Sequence, residues 1–170
     1  MPESKLILRG TVRAVLGDNI DTDIIFPGRY LNITDREKTA EHLFELAYPD
    51  IQPAMQKGEF IVAAKNFGCG SSREQAAAAL KFAGAGAVLA ASFARIFYRN
   101  SINLGLPAVV APEAFDHCKA GDELEIDLAA GRVRNLTQGT EFTAAALDPR
   151  AVELLEAGGL IPYLKKKHAA

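Results

Sequence analysis

At 170 residues, 49% hydrophobic and 24% charged, the chain is sized for one domain, 1–170, that buries roughly 70% of the surface its unfolded form exposes. Nineteen basic against 21 acidic residues leave a net charge of −2, which argues against a general nucleic-acid binder, because neutralising phosphates takes a basic face; the run Lys165, Lys166, Lys167 reads as a solvated end. Two cysteines, Cys69 and Cys118, are too few for a disulfide framework and lack metal-type pair spacing. The opening MPESKLILRG has no signal-peptide core and no apolar run suffices to span a membrane, so a cytoplasmic protein is expected.

LILRGTVRAV reads as a strand, broken by the turn residues of LGDNIDTD; DIIFPGRYLNIT is short and apolar, stopped by Pro27-Gly28. Helical spacing runs from Asp35, a candidate N-cap, to about Leu46. EFIVAAKN is a strand apolar on both faces. After a glycine loop, SREQAAAALKFAG is an alanine-rich helix, AGAVLAAS a second buried strand, and SFARIFYRNSINLG a helix with Ser92 as candidate cap and Gly105 closing it. LPAVVAP is a third strand. This order implies a parallel or mixed sheet with right-handed crossovers. Beyond about residue 119 short alternating segments punctuated by glycine suggest antiparallel hairpins, and DPRAVELLEAGGLIPYLKKK a final helix with a Gly158-Gly159 stop.

The glycine loop NFGCGSSREQ, 66–75, concentrates the chemistry. Ser71 and Glu74 spell a capping box, S-x-x-E. Gly68 and Gly70 equally permit close backbone approach. A helix N-terminus with Ser71, Ser72 and Arg73 could hold a carboxylate or phosphate, Arg73 through two parallel hydrogen bonds. The loop is neither a P-loop nor a Rossmann fingerprint. Cys69 could be a thiol activated by the helix dipole, but His42, His117 and His168 are all remote in sequence, and a small buried thiol is the plainer reading.

GDNIDTDIIFPGRYL (17–31), NFGCGSSRE (66–74) and SFARIFYRNSINLGLP (92–107), in that order, resemble the small subunits of 3-isopropylmalate dehydratase, which correspond to the swivelling domain of the aconitase superfamily. The resemblance covers nearly the whole chain. It implies an α/β, three-layer β/β/α swivelling domain with a mixed parallel sheet and additional antiparallel strands. It also implies a hydro-lyase split over two chains, whose large subunit carries a [4Fe-4S] cluster. Cys69 and Cys118 lack cluster spacing, so no cofactor or metal is expected on this chain alone.

The resemblance makes Ser71 the base, in its alkoxide form. Such a state demands concentrated positive potential, from amides, a helix N-terminus and a cation. Ser72 would hydrogen-bond substrate and Arg73 would hold a carboxylate. Asp23 falls on an active-site aspartate of the family; as bare sequence it reads as an Asx turn. Substrate choice is attributed to the following loop, with Arg29, Tyr30, Leu31, Asn32 and Ile33 as candidate contacts. A neutral Asn32 after Tyr30-Leu31 fits an alkyl-bearing substrate better than one with a third carboxylate. Gln75 departs from the usual histidine after SSRE. Arg95 and Arg99, i and i+4, share a helix face with Tyr98 and Asn100 nearby; the resemblance puts this helix near the subunit contact or the site, while the bare sequence reads as a solvated stripe.

Dehydration and rehydration of a hydroxy-dicarboxylate is the expected reaction, with isopropylmalate in leucine biosynthesis leading. Dimethylmalate, citramalate/citraconate, maleate and homoaconitate enzymes are the related alternatives, and a non-catalytic anion-binding module the alternative of another class. The isolated chain could self-associate through the surface meant for its partner.

Overall fold

The computed structural model describes residues 6–71 and 73–169. Its frame is a seven-stranded sheet in the order β4-β3-β2-β1-β5-β6-β7, built from β1 (Ile7–Val15), β2 (Phe60–Val62), β3 (Ala87–Ala90), β4 (Ala108–Val110), β5 (Glu123–Asp127), β6 (Arg132–Asn135) and β7 (Thr140–Thr143). β1 is the seam: it runs parallel to β2 and antiparallel to β5. On one side β2, β3 and β4 continue in parallel; on the other β5, β6 and β7 form antiparallel hairpins. The mixed sheet with appended antiparallel strands is the expected fold class.

The helices are α1 (Thr22–Ile25), α2 (Arg36–Ala40), α3 (Ile51–Ala54), α4 (Glu74–Phe82), α5 (Arg95–Asn103), α6 (Ala114–His117), α7 (Pro149–Ala157) and α8 (Leu160–Ala169). Alternation along the parallel strands sorts their side chains into two cores. Ile61, Val88 and Ala90 join Phe26, Phe44, Ala77 and Leu80 beneath the helices. Phe60, Val62, Ala87 and Leu89 face the other way and meet Leu124, Ile126, Val133 and Phe142. The second core lies between the parallel and antiparallel parts of a curled sheet, so the layers are β, β and α. The strands of the parallel part are hydrophobic on both faces because both faces are covered.

Several local expectations are corrected. Asp35 does cap α2, accepting from the amides of Glu37 and Lys38, but regular helix ends at Ala40 rather than near Leu46. Phe44 is fully buried at φ +56°, and its amide donates to Ile25 O at 2.9 Å. Core packing of one aromatic thus overrides local helical spacing. Ser92 does not cap the helix that follows: α5 begins after Ala94 without a side-chain cap, and Ser92 Oγ accepts from the Asn66 amide at 2.8 Å. Gly158 stops α7 in the left-handed conformation, but the chain resumes as α8.

Candidate active site

Parallel strands deliver their C-terminal ends to one edge of the sheet, where ligand sites of α/β folds gather. The segments following β1, β2 and β3 meet there. The loop after β2 is laced to the segment after β1 by Gly68 N to Ile20 O (2.7 Å), Thr22 N to Cys69 O (2.9 Å) and Lys65 N to Asp18 Oδ1 (2.9 Å). It is laced to the segment after β3 by Phe67 N to Ser92 O (3.0 Å) and Ala94 N to Phe67 O (2.9 Å). Gly68 sits at φ +82°, and a β-carbon there would overlap the ring of Phe97. Phe97 is itself buried and packs edge-on against Phe67. An aromatic core residue on α5 therefore sets the shape of the glycine loop, and only glycine fits.

The capping box does not form. Arg73, not Ser71, occupies the N-cap position of α4, no side chain caps the helix, and Glu74 turns outward to Arg36 at 3.8 Å. The aspartates Asp21, Asp35 and Asp148 cap α1, α2 and α7, whereas α4 and α5 both start without a side-chain cap. Residues at both of these starts line a cavity of about 270 Å³, together with Thr22, Gly70 and the exposed Ser71. Free amides and two helix dipoles make this a place suited to negative charge.

Arg73 Nη1 donates to Asp23 Oδ1, across 50 residues of sequence. The Arg73 side chain is only 17% exposed and that of Asp23 60%, so the carboxylate fixes a largely covered guanidinium from the solvent side. Asp21, not Asp23, makes the Asx-type cap, accepting from Ile24 N at 2.8 Å. Gly28 leaves room for the pair: a β-carbon there would stand 3.2 Å from both Arg73 Nη1 and Asp23 Oδ1.

The expected residues thus divide. Ser71 and Arg73 line the cavity, and Asp23 joins them through its contact with Arg73. Tyr30 stacks on His42 with ring centres 3.6 Å apart, and Arg29 reaches Glu45 at 3.7 Å and lies over the Tyr30 ring. Hydrogen bonding between Tyr30 and Glu45 raises the phenol and lowers the carboxyl from their ordinary ranges, His42 adding to the latter. Leu31 and Ile33 line a separate depression of about 250 Å³ beside Gln75, whose Nε2 lies 3.5 Å from Leu31 O. Asn32 is exposed. Ser72 lies outside the described residues. Arg95, on the helix that the resemblance puts near the subunit contact or the site, also lines the cavity, as do Thr22 and Ile96, which the sequence did not mark.

The two thiols are separated. Cys69 sits half-covered in the site loop; Cys118 is buried in the second core, where burial and then Asp122 push it up to about 12. Among the described residues, no group of three or more His, Cys, Asp or Glu side chains is placed to hold a metal ion. Two cysteines, one in the site loop and one in the second core, do not supply the ligands of an iron-sulfur cluster.

Residues 3–114 match the Aconitase C-terminal domain. The chain belongs to that family. Over 162 residues it is 53% identical to the 3-isopropylmalate dehydratase small subunit of Moorella thermoacetica, covering 95% of this chain and 97% of that one. It is 49% identical over 160 residues to the methanogen homoaconitase small subunit of Methanothermobacter thermautotrophicus, covering 94% and 92%. The crystal structure of 3-isopropylmalate dehydratase from Methanocaldococcus jannaschii superposes with a TM-score of 0.89 at 42% identity, covering 96% of each chain. Within this aconitase-type domain, no helix among the described residues is long and apolar enough to cross a membrane.

Proposed function

We propose that this chain is the small subunit of a two-chain, cytoplasmic iron-sulfur hydro-lyase that interconverts 2- and 3-isopropylmalate in leucine biosynthesis. Its large subunit holds the [4Fe-4S] cluster and closes the other side of the cavity. The observation that carries the reading is the convergence of Ser71 with the Asp23-fixed Arg73 on a cavity between two uncapped helix starts, in a domain that matches a dehydratase small subunit over 97% of its length.

A cluster held by the large subunit would supply Lewis-acid chemistry at the leaving hydroxyl. The residues of this chain do the rest. Arg73 holds a substrate carboxylate, which orients the neighbouring C–H toward Ser71. Ser71 Oγ, as alkoxide, takes that proton while hydroxide leaves the adjacent carbon, giving the unsaturated acid. Rehydration returns the proton to the carbon that lost the hydroxyl and adds hydroxide to its neighbour. The guanidinium and the amides around the glycine loop are fixed before substrate arrives, which is how such a weakly acidic hydroxyl can be held ionised. Ser72 hydrogen-bonds the substrate, and Asp23 acts as a positioning residue by keeping Arg73 in place.

The loop 29–33 bears on the substrate side group. Arg29, its one cation, is turned toward Glu45, and Leu31, Asn32 and Ile33 are neutral. That supports an alkyl-bearing substrate over homoaconitate, which carries a third carboxylate. The test is co-expression with the large subunit, anaerobic cluster reconstitution and ultraviolet detection of the unsaturated acid from isopropylmalate, citramalate, dimethylmalate and homocitrate. Product from isopropylmalate only when both chains are present supports the reading. Preference for homocitrate overturns the substrate, and no reaction with a verified intact cluster overturns the reaction class.

A further inference from the structure

We infer that Arg95 is a second carboxylate-gripping residue of this site, holding the end of the substrate dicarboxylate that Arg73 does not reach. The inference deepens the proposed hydro-lyase reading and rests on it.

A dicarboxylate brings two negative charges into the cavity. Arg73 supplies one cation, already shared with Asp23. Arg95 is the other cation on the cavity wall. It is exposed, and among the described residues it has no hydrogen bond, ion pair or ring contact. It is also the first residue of the nine-residue α5, whose start carries no side-chain cap. A cation at a helix N-terminus is opposed by the helix dipole, and among the described residues no acidic side chain is paired with it. A bound carboxylate would compensate both the guanidinium and the amides behind it. Arg99, one turn along the same face, lines a different depression beside Asp148. The pair is therefore not a uniform solvated stripe: only Arg95 opens onto the cavity of Ser71. Its neighbour Ile96, an exposed large apolar side chain, lines the same wall, which leaves the charged and alkyl parts of one small acid adjacent surfaces to occupy.

The test uses the assembled, cluster-loaded enzyme with Arg95→Gln and Arg95→Lys. Wild-type turnover of isopropylmalate comes first; an inactive wild type with an intact cluster removes the functional reading and this inference with it. With an active wild type, Arg95→Gln should raise KM about 10- to 100-fold, the scale of a hydrogen bond to a charged group, with a smaller change in kcat and partial recovery in Arg95→Lys. Inhibition by the alkylsuccinate that lacks the hydroxyl, and by its two monoamides, locates the contact. One monoamide should bind wild type and Arg95→Gln equally, because the charge that Arg95 grips is already gone. A KM within twofold of wild type overturns the inference. So does an equal weakening toward the diacid and both monoamides, or loss of the large subunit on co-purification, which would place Arg95 at the subunit contact.

Discussion

The two sides of β1 use polar groups in opposite ways. On the antiparallel side, Asp122, Asn135 and Gln138 satisfy one another. Asn135 Nδ2 donates to Asp122 Oδ2 (2.8 Å) and to His117 O (2.9 Å), Gln138 Nε2 donates to Asp122 Oδ2 (2.6 Å), and the Lys119 amide donates there too (2.9 Å). Asp122 and Asn135 are buried, and the network closes on itself. On the parallel side, Asp23 and Arg73 make a pair that opens onto a cavity, beside an arginine with no partner among the described residues. A buried network that leaves nothing over fixes a fold. A cluster left with donors to spare is one that awaits a ligand.

Changes on the two sides should separate accordingly. Ser71→Ala should lower kcat of the assembled enzyme about 10²- to 10⁴-fold, the range of a lost general base, while KM and the unfolding midpoint stay near wild type; a loss confined to KM would break the comparison. Gly68→Ala couples the site to the core through Phe97 and the positive φ. It should cost about 2–4 kcal/mol of stability in urea unfolding, combining left-handed strain and overpacking. Asn135→Ala should cost about 1–3 kcal/mol by stranding buried partners and leave KM and kcat of the intact fraction unchanged. Asp23→Asn should do the reverse, reducing kcat/KM about tenfold, on the scale of one weakened charge-assisted hydrogen bond, with little change in the urea midpoint.

The smallest effect is a dependence on pH. Burial pushes the Asp122 carboxyl up, but hydrogen bonds from Asn135, the Lys119 amide and Gln138 outweigh it and hold it below its ordinary value. A carboxyl lowered in the folded state contributes stability above its unfolded pKa of about 4, and that contribution is lost as pH falls toward the lowered value. The urea midpoint of wild type should therefore fall on acidification from about pH 5 to pH 3 more steeply than that of Asp122→Asn. Parallel slopes would show that the network carries no linked proton.

Strands and hairpins were legible because the period-two pattern and the glycine punctuation are local, and the doubly covered parallel strands announce themselves as unbroken apolar runs. The misreadings share one cause: a local signal overruled by a distant partner. Helical spacing through 35–46 yields to the burial of Phe44 against Ile25, and Ser92 is drawn from its cap to the Asn66 amide. The serine of the S-x-x-E pattern does not cap α4, because the loop conformation is set by Phe97 and by the segment after β1. The resemblance named Ser71, Arg73 and Asp23, but spacing alone could not pair residues 23 and 73 or place Arg95 on the same cavity. Those relations depend on the crossover geometry of the parallel sheet.

β1 pairs with β2 over Val12 to Val15 and with β5 over Ile7 to Thr11, and its contact with β5 includes Arg9 and Glu125, 116 positions apart. During synthesis, that half of β1 has no strand to bond with until residue 127 has left the ribosome. The second core, which needs Leu124, Ile126, Val133 and Phe142, waits longer still. Until then nascent chains should carry an unzipped strand edge, a window in which chaperones or stray strands compete for it.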